Sequence, residues 1–476
     1  MTPTTEQNLI LESARETDRN LIVEARAGAA KTTTLLMLAS ALPSTMIRCV
    51  AFNKKIATEL QERLPGNAQA ATFNSLGHRA LGRFLGRKLR LDTSKTYKLL
   101  QEEIGALRQT DQKTAYKSMS TILNAVRESK SMGFAPSLSY ANSLVTEEEF
   151  LLSTSEKLTP LEESLTLRVC TLGMKSMLAG TIDFDDQILG SATLPATFDP
   201  FPLTMVDEAQ DLSPVNHQML RKMCKRGRLI AVGDPCQAIY GFRGASETSM
   251  DELRSEFKMQ TFYLTGTFRC APEIVEEATW RAPDMTSLAN HPGSVTHLNE
   301  WTPTLIPDDA AIICRNNAPL LRVAFALIRS GRYPEIVGND VLKGLSKVIE
   351  KLGPRDRPVS QVEDKLQAWY DSRLKKTRAK RTLEDQLHCL KIILNQGSTI
   401  GEALTYLEHI TKSRGHIKLT TAHKSKGLEF DNVYLLDKHL MRDEGQDLNL
   451  LYVAQTRAKV NLTYIDTEGL VETPDV

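Results

Sequence analysis

Short apolar runs recur along this chain, separated by longer stretches of mixed polarity. Leu21–Ala25 is a run of strand length. A loop of small residues follows it, then Lys31-Thr32-Thr33-Thr34 and an apolar stretch over 35–42, a pattern that predicts strand, loop and helix. Comparable runs at Ile47–Phe52, Thr204–Val206, Leu229–Val232 and Phe262–Leu264 each lead into polar or turn-prone residues, and the texture returns at Ala310–Cys314, Ile417–Thr420 and Val433–Leu436. Strands alternating with helices predict parallel α/β sheets, one region early and one late. Two helix-prone stretches with few strand runs, Gly82–Pro200 and Val341–Ser413, lie between the strand-bearing segments. There is no repeat of fixed short period and no low-complexity tract.

Length and composition narrow the class. A chain of 476 residues predicts two to four domains at roughly 100–200 residues each. Its 41% hydrophobic and 25% charged residues suit a soluble globular protein. No window approaches the ~20 apolar residues that span a bilayer. The start, MTPTTEQNLI, lacks the charged-then-apolar order of a signal peptide, so an intracellular protein without a membrane partner is expected. The 7 cysteines are scattered with no Cys-x-x-Cys pair, which predicts reduced core thiols and argues against a zinc or iron–sulfur site. Net charge is only +1, but 341–382 holds 12 Lys/Arg against 5 Asp/Glu, a local +7 that leaves −6 for the rest. Such a run is either a solvated face or a phosphate-binding patch.

The candidate chemistry starts at Ala25–Thr32. A loop between strand and helix can cradle an anion with its backbone N–H groups and the helix N-terminus. There Lys31 would reach the β- and γ-phosphates of a nucleotide, and the Thr32 hydroxyl would hold Mg²⁺. The usual pattern places Gly at 25 and 30, and both are Ala here. By itself the loop also reads as an ordinary strand-to-helix turn. Met205–Asp211 ends a strand with adjacent acids. Asp207 would coordinate the metal and Glu208 would take the proton of attacking water. The plain alternative is an acidic helix N-terminus. Ile230–Ala245 follows, with Gln237 as a neutral donor able to sense a γ-phosphate. Tyr240, Phe242 and Arg243 set two rings beside a cation, a combination on which single-stranded bases stack.

Taken together, these residues resemble superfamily 1 helicases of the UvrD/Rep type, with motifs in family order over essentially the whole chain. Gln7 is similar to the family's adenine-reading glutamine. Ala51–Lys55 and Ala71–Leu76 are similar to its first two DNA-contacting motifs, which points to Phe52, Thr72, Phe73 and Asn74. Val206–Gln210 and Gly233–Ala245 resemble the metal-binding and coupling motifs. Leu264–Arg269 resembles the segment with an adenine-stacking aromatic, Phe268, and an arginine finger, Arg269. Leu419–Phe430 resembles the motif touching DNA and nucleotide, with His423 and Glu429. Leu451–Ala458 resembles the last motif, with Arg457 as second arginine finger.

The resemblance implies an α/β fold of two RecA-like parallel-sheet cores, each carrying a mainly helical insertion. Their expected extents are 1–81 and 201–256 for the first core, 82–200 for its insertion, 257–340 and 414–476 for the second core, and 341–413 for its insertion. It also implies ATP and Mg²⁺ as cofactors, with nucleotide contacts at Gln7, Ala27, Gly28, Ala29, Ala30, Lys31, Thr32, Thr33, Phe268 and Glu429. The implied activity is ATP-driven travel along single-stranded DNA, 3′ to 5′, with unwinding at single/double-strand junctions by a monomer. Cytoplasmic, nucleoid-associated placement is expected, or nuclear in a eukaryote. Two other readings stand beside it: a translocase that strips bound proteins with little unwinding, and a non-catalytic DNA-binding module. Phe242 departs from the family's tryptophan, and the 341–413 insertion is shorter than in UvrD. The short stretch after Arg457 leaves no room for a fused nuclease domain on this reading.

Overall fold

The computed structural model describes residues 2–136, 141–241, 248–338, 340–375, 377, 379–441 and 445–471. The chain divides into two compact units. One is Met1–Ala25 with Ala30–Leu264, the other Arg26–Ala29 with Thr265–Val476.

The strands of the first unit are β1 (Leu21–Ala25), β2 (Ile47–Ala51), β3 (Ala68–Thr72), β4 (Arg90–Leu91), β5 (Thr181–Ile182), β6 (Leu203–Val206), β7 (Arg228–Gly233) and β8 (Gln260–Leu264). Six of them form a parallel sheet in the order β3-β2-β6-β7-β1-β8. Leu21, Ile22 and Val23 of β1 are wholly buried, as are Ile230, Ala231 and Val232 of β7. Both faces of these central strands are covered, which is why their sequences read as unbroken apolar runs. The last strand corrects an expectation. β8 pairs with β1, Leu21 opposite Gln260 through Ala25 opposite Leu264, so 257–264 completes the first sheet instead of opening the second region.

The stretch expected to be helical is so. The helices Lys95–Gly105, Met119–Met132 and Pro160–Leu178 build a core of their own around Leu100, Ile104, Ile122, Val126, Leu165 and Val169. Its junction with the helix Phe184–Thr193 is polar and buried. Lys95 pairs with Asp186, and Lys130 Nζ lies 2.5 Å from Asp183 and 2.8 Å from Asp186. Asp183 is also the N-cap of that helix, and its side chain closes a capping box with Asp186.

The second unit has β9 (Gly266–Thr267) and β10 (Thr286–Ser287) as a short pair. It also has β11 (Ser294–Leu298), β12 (Ala311–Cys314), β13 (Pro334–Ile336), β14 (Ile417–Thr421), β15 (Phe430–Leu436) and β16 (Ala458–Ile465). The last six form another parallel sheet, ordered β11-β16-β15-β12-β14-β13. The helices Asp340–Glu350, Glu363–Leu374, Lys380–Leu394 and Ile400–Lys412 occupy the other stretch expected to be helical. They share one continuous core with the sheet, in which Leu345, Leu390 and Leu404 join Ile312 and Leu419. The fold class is therefore α/β with two parallel sheets, as expected.

Candidate nucleotide and nucleic-acid site

In an open parallel sheet, ligand-binding groups gather beyond the carboxyl ends of the strands. In the first sheet β6, β7 and β1 are neighbours, so the segments following them converge. After β1 comes the helix Lys31–Ala41, whose N-cap Ala30 is left-handed at φ 58° and ψ 39° and makes no side-chain cap hydrogen bond. The first N–H groups of that helix thus have no side-chain cap, the condition under which a helix terminus takes an anion. Ala30 adopts the conformation that the usual glycine would adopt. The substitution seen in the sequence is accommodated in place, at a steric cost of about 1–2 kcal/mol.

After β6, Asp207 is buried and accepts from the Thr32 hydroxyl at 3.2 Å. Burial pushes the Asp207 carboxyl up to about 6. The adjacent Glu208 carboxylate adds to the rise, and Lys31 opposes it. Two neighbouring carboxylates and a hydroxyl form an oxygen donor set suited to a hard divalent cation such as Mg²⁺. Glu208 is itself left-handed at φ 53°. It is held by Gln210, whose amide donates to it at 2.5 Å and accepts from Asp234 N–H at 2.9 Å. After β7, Asp234 is fully buried, and the Gln237 amide donates to it at 2.6 Å. Gln7 lies against the same helix: its amide donates to Thr34 Oγ1 at 2.9 Å, and its carbonyl accepts from Thr4 N–H in a capping box. Thr33 is half-buried on the helix that Ala30 caps.

The residues expected to touch DNA divide. Phe52 is 40% exposed, and its ring lies 7° from parallel to that of Tyr240, centroids 6.4 Å apart. Phe73 corrects the expectation: it is buried in the core with Ile22, Val50 and Leu76 and presents no face to a base. Thr72 Oγ1 accepts from Ser75 N–H as the N-cap of the helix Phe73–Leu85, and the Asn74 amide donates to Phe184 O at 2.8 Å. Phe242 and Arg243 lie outside the described residues.

The second unit takes in the loop residues Arg26–Ala29. Arg26 forms a two-point ion pair with Asp284, at 2.7 and 2.8 Å. Ala27 N–H donates to the Tyr452 hydroxyl at 3.0 Å. Gly28 has φ +72°, and a Cβ there would sit 2.4 Å from Thr267 Oγ1, so this position admits glycine alone. Gly28 O accepts from Phe268 N–H, and the Phe268 ring is 41% exposed. Arg269 donates to Glu429 at 2.8 Å and to Thr456 O at 3.3 Å. Arg457 is buried, and its guanidinium donates to Val453 O, Leu428 O and Thr456 Oγ1. His423 is half-buried on the short helix Ala422–Ser425, directly after β14.

The chain matches the UvrD/REP helicase N-terminal domain over residues 4–258, more than half its length, and the UvrD-like helicase C-terminal domain over 355–469. It belongs to the UvrD/Rep helicase family. Its two parallel sheets are accordingly the RecA-like cores of that family. F-box DNA helicase protein 1 of Schizosaccharomyces pombe is 25% identical over 98% of this chain and 57% of that protein. F-box DNA helicase 1 of Gallus gallus is 26% identical over 96% of this chain and 48% of that protein. The ATP-dependent DNA helicase PcrA of Staphylococcus aureus is 25% identical over 61% of this chain. The chain thus spans about half the length of the full-coverage relatives.

Three residues of this UvrD/Rep chain were not singled out by sequence reasoning. Gln210 ties the strand-end acids to β7, and its place in Asp-Glu-Ala-Gln was the signal. Arg26 and Asp284 pair across 258 positions, and no sequence signal announces that pairing. Among the described residues no helix is long and apolar enough to cross a membrane.

Proposed function

We propose that this chain is an ATP-dependent DNA helicase that moves along single-stranded DNA, 3′ to 5′, and opens duplex at junctions. One observation carries the reading: the loop ending at Lys31, the acids Asp207 and Glu208, and Gln237 follow three adjacent strands of one sheet. In this reading the uncapped helix start and Lys31 bind the nucleotide phosphates, and Thr32 and Asp207 hold Mg²⁺, which supplies charge neutralisation on the phosphates. Glu208, fixed by Gln210, orients and deprotonates the attacking water. Arg269 and Arg457 carry the arginine-finger roles. Phe52 and Tyr240 offer near-parallel ring faces to a base, which makes binding tolerant of sequence. The domain assignment follows, with 82–200 and 341–413 as insertions and the first core extended to Leu264.

The test combines phosphate release with unwinding. Lys31→Ala is expected to abolish DNA-stimulated phosphate release, and duplexes with 3′ tails are expected to open faster than those with 5′ tails. Normal turnover in Lys31→Ala would remove the nucleotide-site assignment, and faster opening from 5′ tails would reverse the polarity. The compact second insertion favours one alternative, a translocase that displaces bound proteins. Stripping of a protein block without strand separation would select it.

A further inference from the structure

At the amino-terminal ends of β13 and β14 the second unit carries a cavity of 620 Å³. The loop Gly331–Tyr333 leads into β13 and Ser413–His416 leads into β14, whose first residues, Pro334 and Ile417, are paired in register. The two loops are locked together. Gly415 packs so closely on the Tyr333 carbonyl that a Cβ would lie 1.3 Å from its oxygen. The Ser413 hydroxyl donates to Pro334 O. A volume of this size suits a small ligand or one segment of a larger one.

The lining is basic. Arg332, Lys412 and Arg414, together with His409 and His416, line it alongside one carboxylate, Asp308. Arg332 is only 18% exposed and is held in place by Pro303 O at 2.5 Å and by Asp308. Arg414 is backed by the carbonyls of Thr411 and Ser413, and Lys412 by Glu408 at 3.1 Å on the outer helix face. Beside these cations the Tyr333 ring is 62% exposed. Clustered cations, one of them held, select phosphate, and an uncovered ring next to them selects a base. A phosphorylated peptide would engage the cations and leave the ring unused.

We propose that this pocket is a second nucleic-acid contact, taking a phosphate and an adjoining base of a single strand. The choice of nucleic acid rests on the functional reading above. The pocket lies at the end of β14 opposite the Ala422–Ser425 helix that carries His423. Five residues of strand separate them by about 16 Å.

The experiment uses the full chain and a 5-iodouracil-containing oligodeoxynucleotide. Photocrosslinked peptides are mapped, and DNA-stimulated phosphate release is measured on the same samples. The expected result is a crosslink on the Tyr333 peptide. It should weaken by at least about fivefold in Tyr333→Ala, in keeping with the loss of one stacked base. Replacing Lys412 and Arg414 by Glu should lower the salt-dependence slope of this contact by about 1.4, the value for two lost phosphate contacts on a single strand. Phosphate release should stay at the parental level in both variants. An unlabelled Tyr333 peptide at saturation, or crosslinking unchanged in the variants, would overturn the proposal. So would capture of a phosphotyrosine peptide at this pocket without the oligonucleotide. Loss of DNA stimulation in the parental protein would instead count against the helicase reading and leave the crosslink result to stand by itself.

Discussion

Ala30 and Asp207 each carry a local penalty at the proposed nucleotide site. Ala30 has a left-handed backbone that glycine adopts without a clash. Ala30→Gly is expected to stabilise the protein by about 0.5–1 kcal/mol, the relieved steric cost less the added freedom of the unfolded chain. Urea unfolding would measure it, and a loss of stability would mean the methyl group makes contacts worth more than the strain. For Asp207 the folded-state value of about 6 lies above the ordinary carboxylate range. Between about pH 4 and 6 the folded protein keeps a proton that the unfolded chain has lost, so this group's contribution to stability falls as pH rises through that window. Above it the buried carboxylate is ionised at a cost. Asp207→Asn should therefore raise stability at pH 7.5 by about 1–3 kcal/mol while abolishing hydrolysis. A variant no more stable than the parent, in unfolding curves at that pH, would contradict the assigned cost.

Among the elements, the central strands were legible because burial on both faces writes an apolar run. β1, β6, β7, β12 and β15 all lay where such runs were found, β1 with the same ends and the others shifted by one to three residues. The missed strands have other compositions. β3 reads Ala-Gln-Ala-Ala-Thr at a sheet edge, and β11 is an edge strand with two exposed residues. β16 alternates Lys, Asn and Thr with apolar residues although it lies inside its sheet. The site was legible where one short segment carries the chemistry, as in Ala25–Thr32 and Met205–Asp211. It was illegible where tertiary packing decides: nothing in Thr-Phe-Asn-Ser separates a ring facing a base from Phe73 in the core. The helical insertion adds a prediction of its own. Lys130 neutralises Asp183 and Asp186 at a buried junction of helices. Lys130→Met would leave Asp183 without its paired cation, while Asp186 keeps Lys95, and should cost about 3 kcal/mol or more. Hydrogen exchange would register it as lost protection in the helices Met119–Met132 and Phe184–Thr193. Unchanged protection there would show that the ion cluster is not a structural joint.

For the whole molecule, an even overall charge hides a basic segment. Lys343, Lys347 and Lys351 are exposed and recur every four residues along and just beyond the helix Asp340–Glu350, within the stretch of local charge +7. If that stripe meets phosphates, changing all three to Gln should lower the salt-dependence slope of single-strand binding by about 2. An identical slope would mark the stripe as a solvated face. Because the helices of 340–412 share their core with the second sheet, this charge is mounted on the sheet's own hydrophobic interior. A further consequence concerns the seven cysteines, all of them free and buried. Burial lifts the Cys49 thiol to about 12 and those of Cys170 and Cys224 to about 11. Thiolate, the form that attacks maleimides, is then scarce at these three, and burial shields all seven from the reagent. A fluorophore could accordingly be attached at one introduced surface cysteine without first removing any of the natural ones.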